Sequence, residues 1–144
     1  MKAINIEISV FCHETEDREK ILSSIQRFFD SDIKSAKFED NVVNGYYGNR
    51  IEIISFKASG KIANSIFQKI LNSLDKIDLL LLISTLSDRL DRGKLHLRID
   101  KQKLISQGKI FLKDGDDVIK VVITLKDSQN LQEELKSFVN RNES

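Results

Sequence analysis

Residues 93–102 read GKLHLRIDKQ and alternate between polar and apolar side chains. Leu95, Leu97 and Ile99 fall on one side of an extended chain, because successive strand residues point to opposite faces. The other side carries the polar set Lys94, His96, Arg98 and Asp100. The stretch therefore predicts a strand at 94–100 with one buried face and one solvent face that is rich in cations.

The rest of the chain shows the same two kinds of hydrophobic period. A period of two predicts strands at 2–12, 34–43, 50–58, 109–112 and 118–125. A helical period predicts helices at 16–30 with Thr15 as the N-cap, after Gly60, at 77–90, and from about 128 to 140. Short turns between consecutive strands favour an antiparallel or mixed sheet. The predicted fold class is α+β, with two layers and the helices on one face of the sheet.

These periods also predict which side chains form the core. The predicted core residues are Ile6, Ile8, Leu22, Ile25, Phe28, Ile53, Phe67, Leu97, Ile99 and Val121. Leu80 and Leu81 lie off the main apolar stripe of their helix. We expect them either beneath another element of the monomer or at a self-complementary contact of a homodimer.

Length and composition limit the possible classes of protein. A chain of 144 residues predicts one domain, 1–144, and its content of 40% hydrophobic and 31% charged residues argues against disorder. The longest apolar run, 79–83, is too short to span a membrane. Asn5 and Glu7 interrupt any apolar leader, and the single cysteine forms no internal disulfide. We therefore expect a cytoplasmic protein that does not act in the membrane.

Positive charge is concentrated in one segment although the net charge is only +1. Residues 91–113 contain seven Lys or Arg and two Asp, an excess of +5, so the remaining residues carry −4. A polarised protein can bind an anion on one face and stay near neutral overall. Ordinary solvated surface is the alternative explanation of such a run.

Two groups of residues suit contact with a nucleic acid. The first group comprises the cations and imidazole of the predicted strand and the segment after it: Lys94, His96, Arg98, Lys101 and Lys103, with Lys109 or Lys113 as an extension. An arginine there can hold one phosphate through two hydrogen bonds. The second group is Tyr46 and Tyr47, between two glycines, where an exposed ring can stack on a base. A hairpin cap over the edge of a core is the alternative for the tyrosines.

Signatures of catalysis are sparse. Cys12 and His13 are neighbours at a strand end and should point to opposite faces, which separates them as a joint site. Cys12 is expected in the core, and Asp116-Asp117 reads as a turn. We expect no catalytic residues, no metal ligands and no cofactor. A small hydrolase that uses His13 and nearby carboxylates is the least favoured interpretation.

Three motifs in the same order resemble one known family. They are HETED at 13–17, GYYGN at 45–49 and GKLHLRIDKQ at 93–102. Together they resemble an archaeal RNA-binding family that is predicted to contain exosome subunits or exosome-associated factors, over about residues 4–123. Arg50 stands where that pattern suggests proline, which frees the backbone there and adds a cation beside the tyrosines. The C-terminal helix is outside the pattern.

The resemblance implies a compact α+β domain, similar in fold to the ribosomal protein that binds 5S RNA, in a cytoplasmic archaeal setting. It also implies a non-catalytic role with RNA, associated with the exosome or with other RNA-processing proteins. The leading interpretation is an RNA-binding protein that contacts the RNA backbone through the basic strand, with Tyr46, Tyr47 and Arg50 as a bordering loop. The alternative is an assembly subunit that binds partner proteins and makes no direct RNA contact.

Overall fold

A computed structural model describes residues 1–142, and it contains one six-stranded sheet. The strands are β1 (Ala3–His13), β2 (Lys37–Asn44), β3 (Arg50–Ser59), β4 (Leu90–Asp91), β5 (Lys94–Ile99) and β6 (Ile119–Leu125). They lie in the order β2-β3-β1-β6-β5-β4, and every neighbouring pair is antiparallel. The predicted α+β class is confirmed.

Seven helices complete the part of the chain that the structure describes. They are α1 (Arg18–Phe29), α2 (Ser31–Lys34), α3 (Gly60–Ser73), α4 (Lys76–Ser84), α5 (Leu86–Arg89), α6 (Lys101–Gln107) and α7 (Leu131–Asn142). Within residues 1–142, no helix combines the length and apolar character that crossing a bilayer demands.

The core forms between the helices and one face of the sheet. Ile8 of β1 is paired with Phe56 of β3 on one side and with Val121 of β6 on the other, and all three are buried. Phe67 of α3 belongs to the same buried cluster. Side chains on the opposite sheet face do not belong to this cluster. We call that side the open face.

Most of the predicted core is confirmed, with one clear exception. Leu22 and Phe28 pack against the core while partly buried. Ile53 instead pairs with Phe11, next to the buried Ile54, and therefore lies on the open face. The period of β3 did not decide which face was buried, because both faces of that strand carry apolar residues.

Several element boundaries differ from the prediction for local reasons. Helix α1 begins at Arg18, since Asp17 rather than Thr15 accepts the hydrogen bonds from the N–H groups of Glu19 and Lys20. The single helix predicted at 77–90 is two helices, α4 and α5, followed by β4. Residues 109–112 form only an isolated bridge, between Leu112 and Ile99.

Helix α6 was not predicted, although both of its end signals are present in the sequence. The carboxylate of Asp100 accepts a hydrogen bond from the N–H of Lys103, and Gly108 ends the helix with a φ of 67°. Asp100 is therefore buried as a helix cap, whereas the alternation of 94–100 placed it outward.

Leu80 and Leu81 are exposed at 48% and 43%, so the prediction that they lie beneath another element of the monomer is wrong. Ile77, one turn earlier in α4, is 76% exposed. The three side chains share one side of the helix because residues three and four apart are neighbours on its surface. We call them the α4 stripe.

Candidate nucleic-acid interface

Cations from three adjacent chain segments line up across the open face. Arg98 of β5 is paired with Lys120 of β6, and Lys120 is paired with Ser9 of β1. On the other side of β5, the N–H of Lys113 donates to the carbonyl of Arg98 at 3.0 Å. Paired residues of an antiparallel sheet lie on the same face. Lys113, Arg98 and Lys120 thus form one line, which we call the basic row.

The polar side chains of β5 extend this positive region along the strand. Lys94, His96 and Arg98 are exposed and follow one another at every second residue, a separation of about 6.8 Å. That spacing is close to the distance between neighbouring phosphates of an extended nucleic-acid strand. Three predicted contact residues therefore share one surface.

A groove runs beside β5 on this side of the protein. It has a volume of about 360 Å³ and is lined by His96, Arg98, Lys120 and the α5 residues Asp88 and Arg89. The guanidinium Nε of Arg89 donates to the Thr85 hydroxyl at 2.7 Å, which fixes its position at the rim. The groove brings three cations, one histidine and the carboxylate of Asp88 around a space that is open to solvent.

Within residues 1–142, the three cations of the basic row have no carboxylate at ion-pair distance, although Asp88 lines the same groove as Arg98 and Lys120. The side chains of Arg98 and Lys113 form no ion pair with any residue from 1 to 142, and the ammonium of Lys120 lies 5.4 Å from the centroid of the Phe11 ring. A cation that forms no ion pair with a carboxylate is available to attract a phosphate.

Arg18, on the helix side of the sheet, shows the contrasting case. Its guanidinium donates to Asp40 at 2.7 Å and also to Glu52 and Glu19. The hydrogen bond with Asp40, followed by that with Glu52, raises the pKa of Arg18 above its ordinary value. This arginine joins α1 to β2 and β3, and its charge is used inside the protein.

Lys101 does not lie on the predicted surface, because its side chain is only 1% exposed. Its ammonium donates to the carbonyl of Phe11 at 3.2 Å and lies 2.8 Å from Glu16 and 2.5 Å from Asp117. Burial alone lowers the pKa of Lys101, but the hydrogen bonds to Asp117 and Glu16 outweigh it and raise the pKa. The position is structural, and we exclude Lys101 from the interface.

Three side chains near Lys101 lie close enough together to be considered as metal ligands. Ligand atoms of His13, Glu16 and Asp117 lie within 4.8 Å of one another. The Lys101 ammonium already bonds both carboxylates, and His13 Nε2 is 3.8 Å from Asp117. A divalent cation there would have to overcome repulsion from the ammonium. These carboxylates are therefore partners of Lys101.

Lys103 is exposed and reaches an aromatic ring near the basic row. Its ammonium lies 4.6 Å from the centroid of Phe111, two residues before Lys113. Lys103 thus stays within the predicted positive region although it belongs to a helix and not to the strand. Lys109 is exposed beyond the end of α6.

Tyr46, Tyr47 and Arg50 lie at the end of the β2–β3 hairpin, apart from the basic row. The two rings are 95% and 91% exposed and meet edge to face at 5.0 Å, so they do not cap the core. Arg50 donates its backbone N–H to Glu14 at 2.7 Å. Arg50 lies three strands away from Arg98 across the sheet and is displaced from it by five residues along the strand direction. Together these offsets correspond to a separation of roughly 20 Å. The loop would be a second, separate contact region.

Sequence reasoning missed two contributors to this surface, Lys120 and Arg89. Lys120 occupies an outward position of a predicted strand, so its exposure was readable, but its pairing with Arg98 depends on the strand order. Arg89 was assigned to a longer helix, and only the break after α4 places it beside His96.

An α+β protein whose sheet surface carries a line of cations without ion-pair partners has the features of a nucleic-acid-binding module. Comparison with known proteins makes this specific: the model of a family described as RNA binding matches residues 5–125. The chain belongs to this RNA-binding family. The three relatives described next come from archaea.

Three relatives illustrate the likeness over nearly the whole chain. An uncharacterized protein of Methanocaldococcus jannaschii is 34% identical over 141 residues, which cover 94% of each chain. An RNA-binding protein of Pyrococcus abyssi is 34% identical over 131 residues, covering 88% of this chain and 84% of the relative. A crystal structure from Sulfolobus solfataricus, described as a member of family DUF54, has 40% identity and a TM-score of 0.89, covering 96% and 98% of the two chains.

Proposed function

We propose that this protein is a non-catalytic, cytoplasmic RNA-binding protein whose basic row contacts the phosphate backbone. The observation that carries the proposal is that Lys113, Arg98 and Lys120 lie in one line on the open face. None of these three side chains forms an ion pair with a carboxylate of the described residues. Lys94, His96 and Lys103 extend the contact. Phosphate contacts of this kind supply affinity and orientation without reading sequence.

A salt titration tests this proposal. Binding of a labelled RNA is measured against salt concentration for the parent and for Arg98→Ala. Each phosphate contact contributes about 0.7 to 0.9 to the slope of log affinity against log salt. We expect Arg98→Ala to weaken binding of unrelated RNA sequences to a similar degree and to lower that slope by about one contact.

Arg27→Ala is the matched control, since Arg27 is exposed in α1 and its loss removes the same charge from the helix side. It should leave the slope unchanged. Equal losses for both variants would indicate a general charge effect. RNA binding by Arg98→Ala that equals the parent's would contradict a contact through the basic row.

We also propose that the protein acts with RNA-processing or RNA-degrading machinery, the exosome among the candidates. The motif resemblance supports this, and the α4 stripe offers an apolar surface where a partner protein or a second copy of the chain can bind. Affinity purification with and without ribonuclease tests the association. Exosome subunits that remain after ribonuclease treatment support a direct protein contact, and their absence under both conditions contradicts it.

A further inference from the structure

Two of the eight phenylalanines lie outside the hydrophobic core on the open face. Phe11 follows the buried Val10 in β1 and is paired with Ile53. Phe111 precedes Leu112, whose side chain packs against the core, and the carbonyl of Phe111 accepts a hydrogen bond from Asp100 at 2.8 Å. The alternation of β1 directs the Phe11 ring to the face that carries the basic row. Phe111 lies between Ile110 and Leu112, which both face the core, so its ring points away from the core, as does the side chain of Lys113.

Each of these rings has a lysine ammonium above it. Lys120 lies 5.4 Å from the centroid of Phe11, and Lys103 lies 4.6 Å from the centroid of Phe111. A cation over a ring is attracted by the negative potential of the ring face. Because lysine has a flexible stem, the ammonium can move to a phosphate and leave the ring face to another planar group.

The rings and the cations form two parallel rows. Phe11 lies two residues beyond Ser9, which is paired with Lys120, and Phe111 lies two residues before Lys113. The aromatic row is therefore about 7 Å from the basic row. In a single nucleic-acid strand the bases and the phosphates are likewise separated to the two sides of the ribose.

We propose that the open face binds single-stranded RNA, with bases stacked on Phe11 and Phe111 and phosphates held by the basic row. This inference rests on the proposed function, since it requires that the basic row contact RNA. Unpaired bases can leave the strand and stack on aromatic side chains, whereas a duplex keeps its bases paired and offers mainly its backbone. Single-stranded RNA is thus the ligand that uses both rows.

The experiment measures the binding affinity of two RNAs of the same length, one single-stranded and one duplex. Each RNA is tested with the parent protein, with Phe11→Leu and with Phe111→Leu. Leucine keeps apolar bulk and removes the ring. We expect the parent to prefer the single strand, and each variant to lose about five- to tenfold in affinity for it. The salt slope stays at the parent value because no charge is removed. Phe38→Leu is the matched control, since Phe38 is an exposed ring on the helix side that contacts Phe56.

A second readout reports stacking independently of affinity. An RNA that contains 2-aminopurine should lose fluorescence on binding the parent at saturating protein, and should lose less of it with either phenylalanine variant. Equal binding of duplex and single strand, with unchanged affinity and quenching for both variants, overturns the stacking inference. If Arg98→Ala still weakens binding, the proposed function survives that result. Absence of binding to every RNA by the parent overturns both.

Discussion

The ammonium of Lys101 lies 2.8 Å from the carboxylate of Glu16, although 85 residues separate them in the chain. The contact joins the start of α6 to the turn that follows β1. The same ammonium holds the carbonyl of Phe11 at 3.2 Å, so this lysine helps to fix the strand position from which the Phe11 ring projects.

Removal of this charge should destabilise the protein strongly. In Lys101→Met the apolar stem is retained, while Glu16 and Asp117 lose the cation that both of them contact. Breaking a buried pair costs about 3–5 kcal/mol. We expect a value near the lower limit, about 3 kcal/mol, since Asp117 is largely exposed to solvent. Urea unfolding followed by circular dichroism measures the difference.

The pH dependence of that loss follows from the raised pKa of Lys101. A raised pKa gives stability that is present below the unfolded-state pKa of the lysine and is lost as the pH rises through the folded-state value. The lysine contribution should therefore stay constant between about pH 6 and pH 9. Lys109→Met, at an exposed position, is the control and should change stability by less than about 0.5 kcal/mol. Similar losses for the two variants would refute the structural role.

Leu97→Ala should cost about 2–5 kcal/mol, because the side chain is buried between its β6 partner Val121 and the helices. Thermal or urea unfolding measures this loss. Leu81→Ala makes the same change on the exposed α4 stripe and should lower stability much less. A small effect at Leu97 would mean that the sequence stretch at 94–100 does not anchor the core.

The double variant Leu80→Glu/Leu81→Glu should remain folded, because both side chains are nearly half exposed in the monomer. Circular dichroism measures folding, and light scattering measures the oligomeric state. If a homodimer forms through the α4 stripe, the parent should scatter as a dimer and the variant as a monomer. Unfolding of the variant would contradict the observed exposure.

Tyr46→Ala should leave stability unchanged, as the ring makes its contact with Tyr47 outside the core. If the hairpin stacks on RNA, the substitution should cost about 1–3 kcal/mol of binding free energy without a change in salt slope. The effect should appear only with RNAs long enough to span the roughly 20 Å between the loop and the basic row. Equal loss with a short RNA would place the hairpin in the primary contact.

Cys12 should react slowly with thiol reagents in the native protein. Burial, together with the nearby carboxylate of Glu16, raises the pKa of its thiol, and the thiolate is the reactive form. We expect slow release of chromophore from a disulfide reagent at about pH 8 and rapid release once the protein is unfolded. Immediate reaction of the native protein would show that the thiol is accessible and ionised.

The parts of the fold that could be predicted were those whose signal is local. The alternation around Leu97 is decided by neighbours two residues away, and it gave the correct strand and the correct buried face. Helix α6 was missed because seven residues are too few to show a clear helical period, and the strand pattern before them is stronger. Asp100 and Gly108 nevertheless mark its two ends.

The errors at the site arose from long-range pairing. A lysine is normally a surface residue, and nothing near Lys101 in the sequence shows that Glu16 and Asp117 converge on it. Phe11 was on the solvent side of a correctly predicted strand, so its orientation was readable. Its relation to Lys120 required the strand order, which no local pattern encodes.

The central position of β1 determines when the protein can fold. Its partner β6 is more than one hundred residues later, as the pairing of Ile8 with Val121 shows. During synthesis the β2–β3 hairpin can form early, whereas β1 has an unpaired edge until residue 125 has left the ribosome. Lys120 therefore joins Arg98 and Lys113 in the basic row only at this late stage. We expect this chain to fold more slowly than a helical bundle of equal length, and a fragment that ends before Ile119 to aggregate through β1.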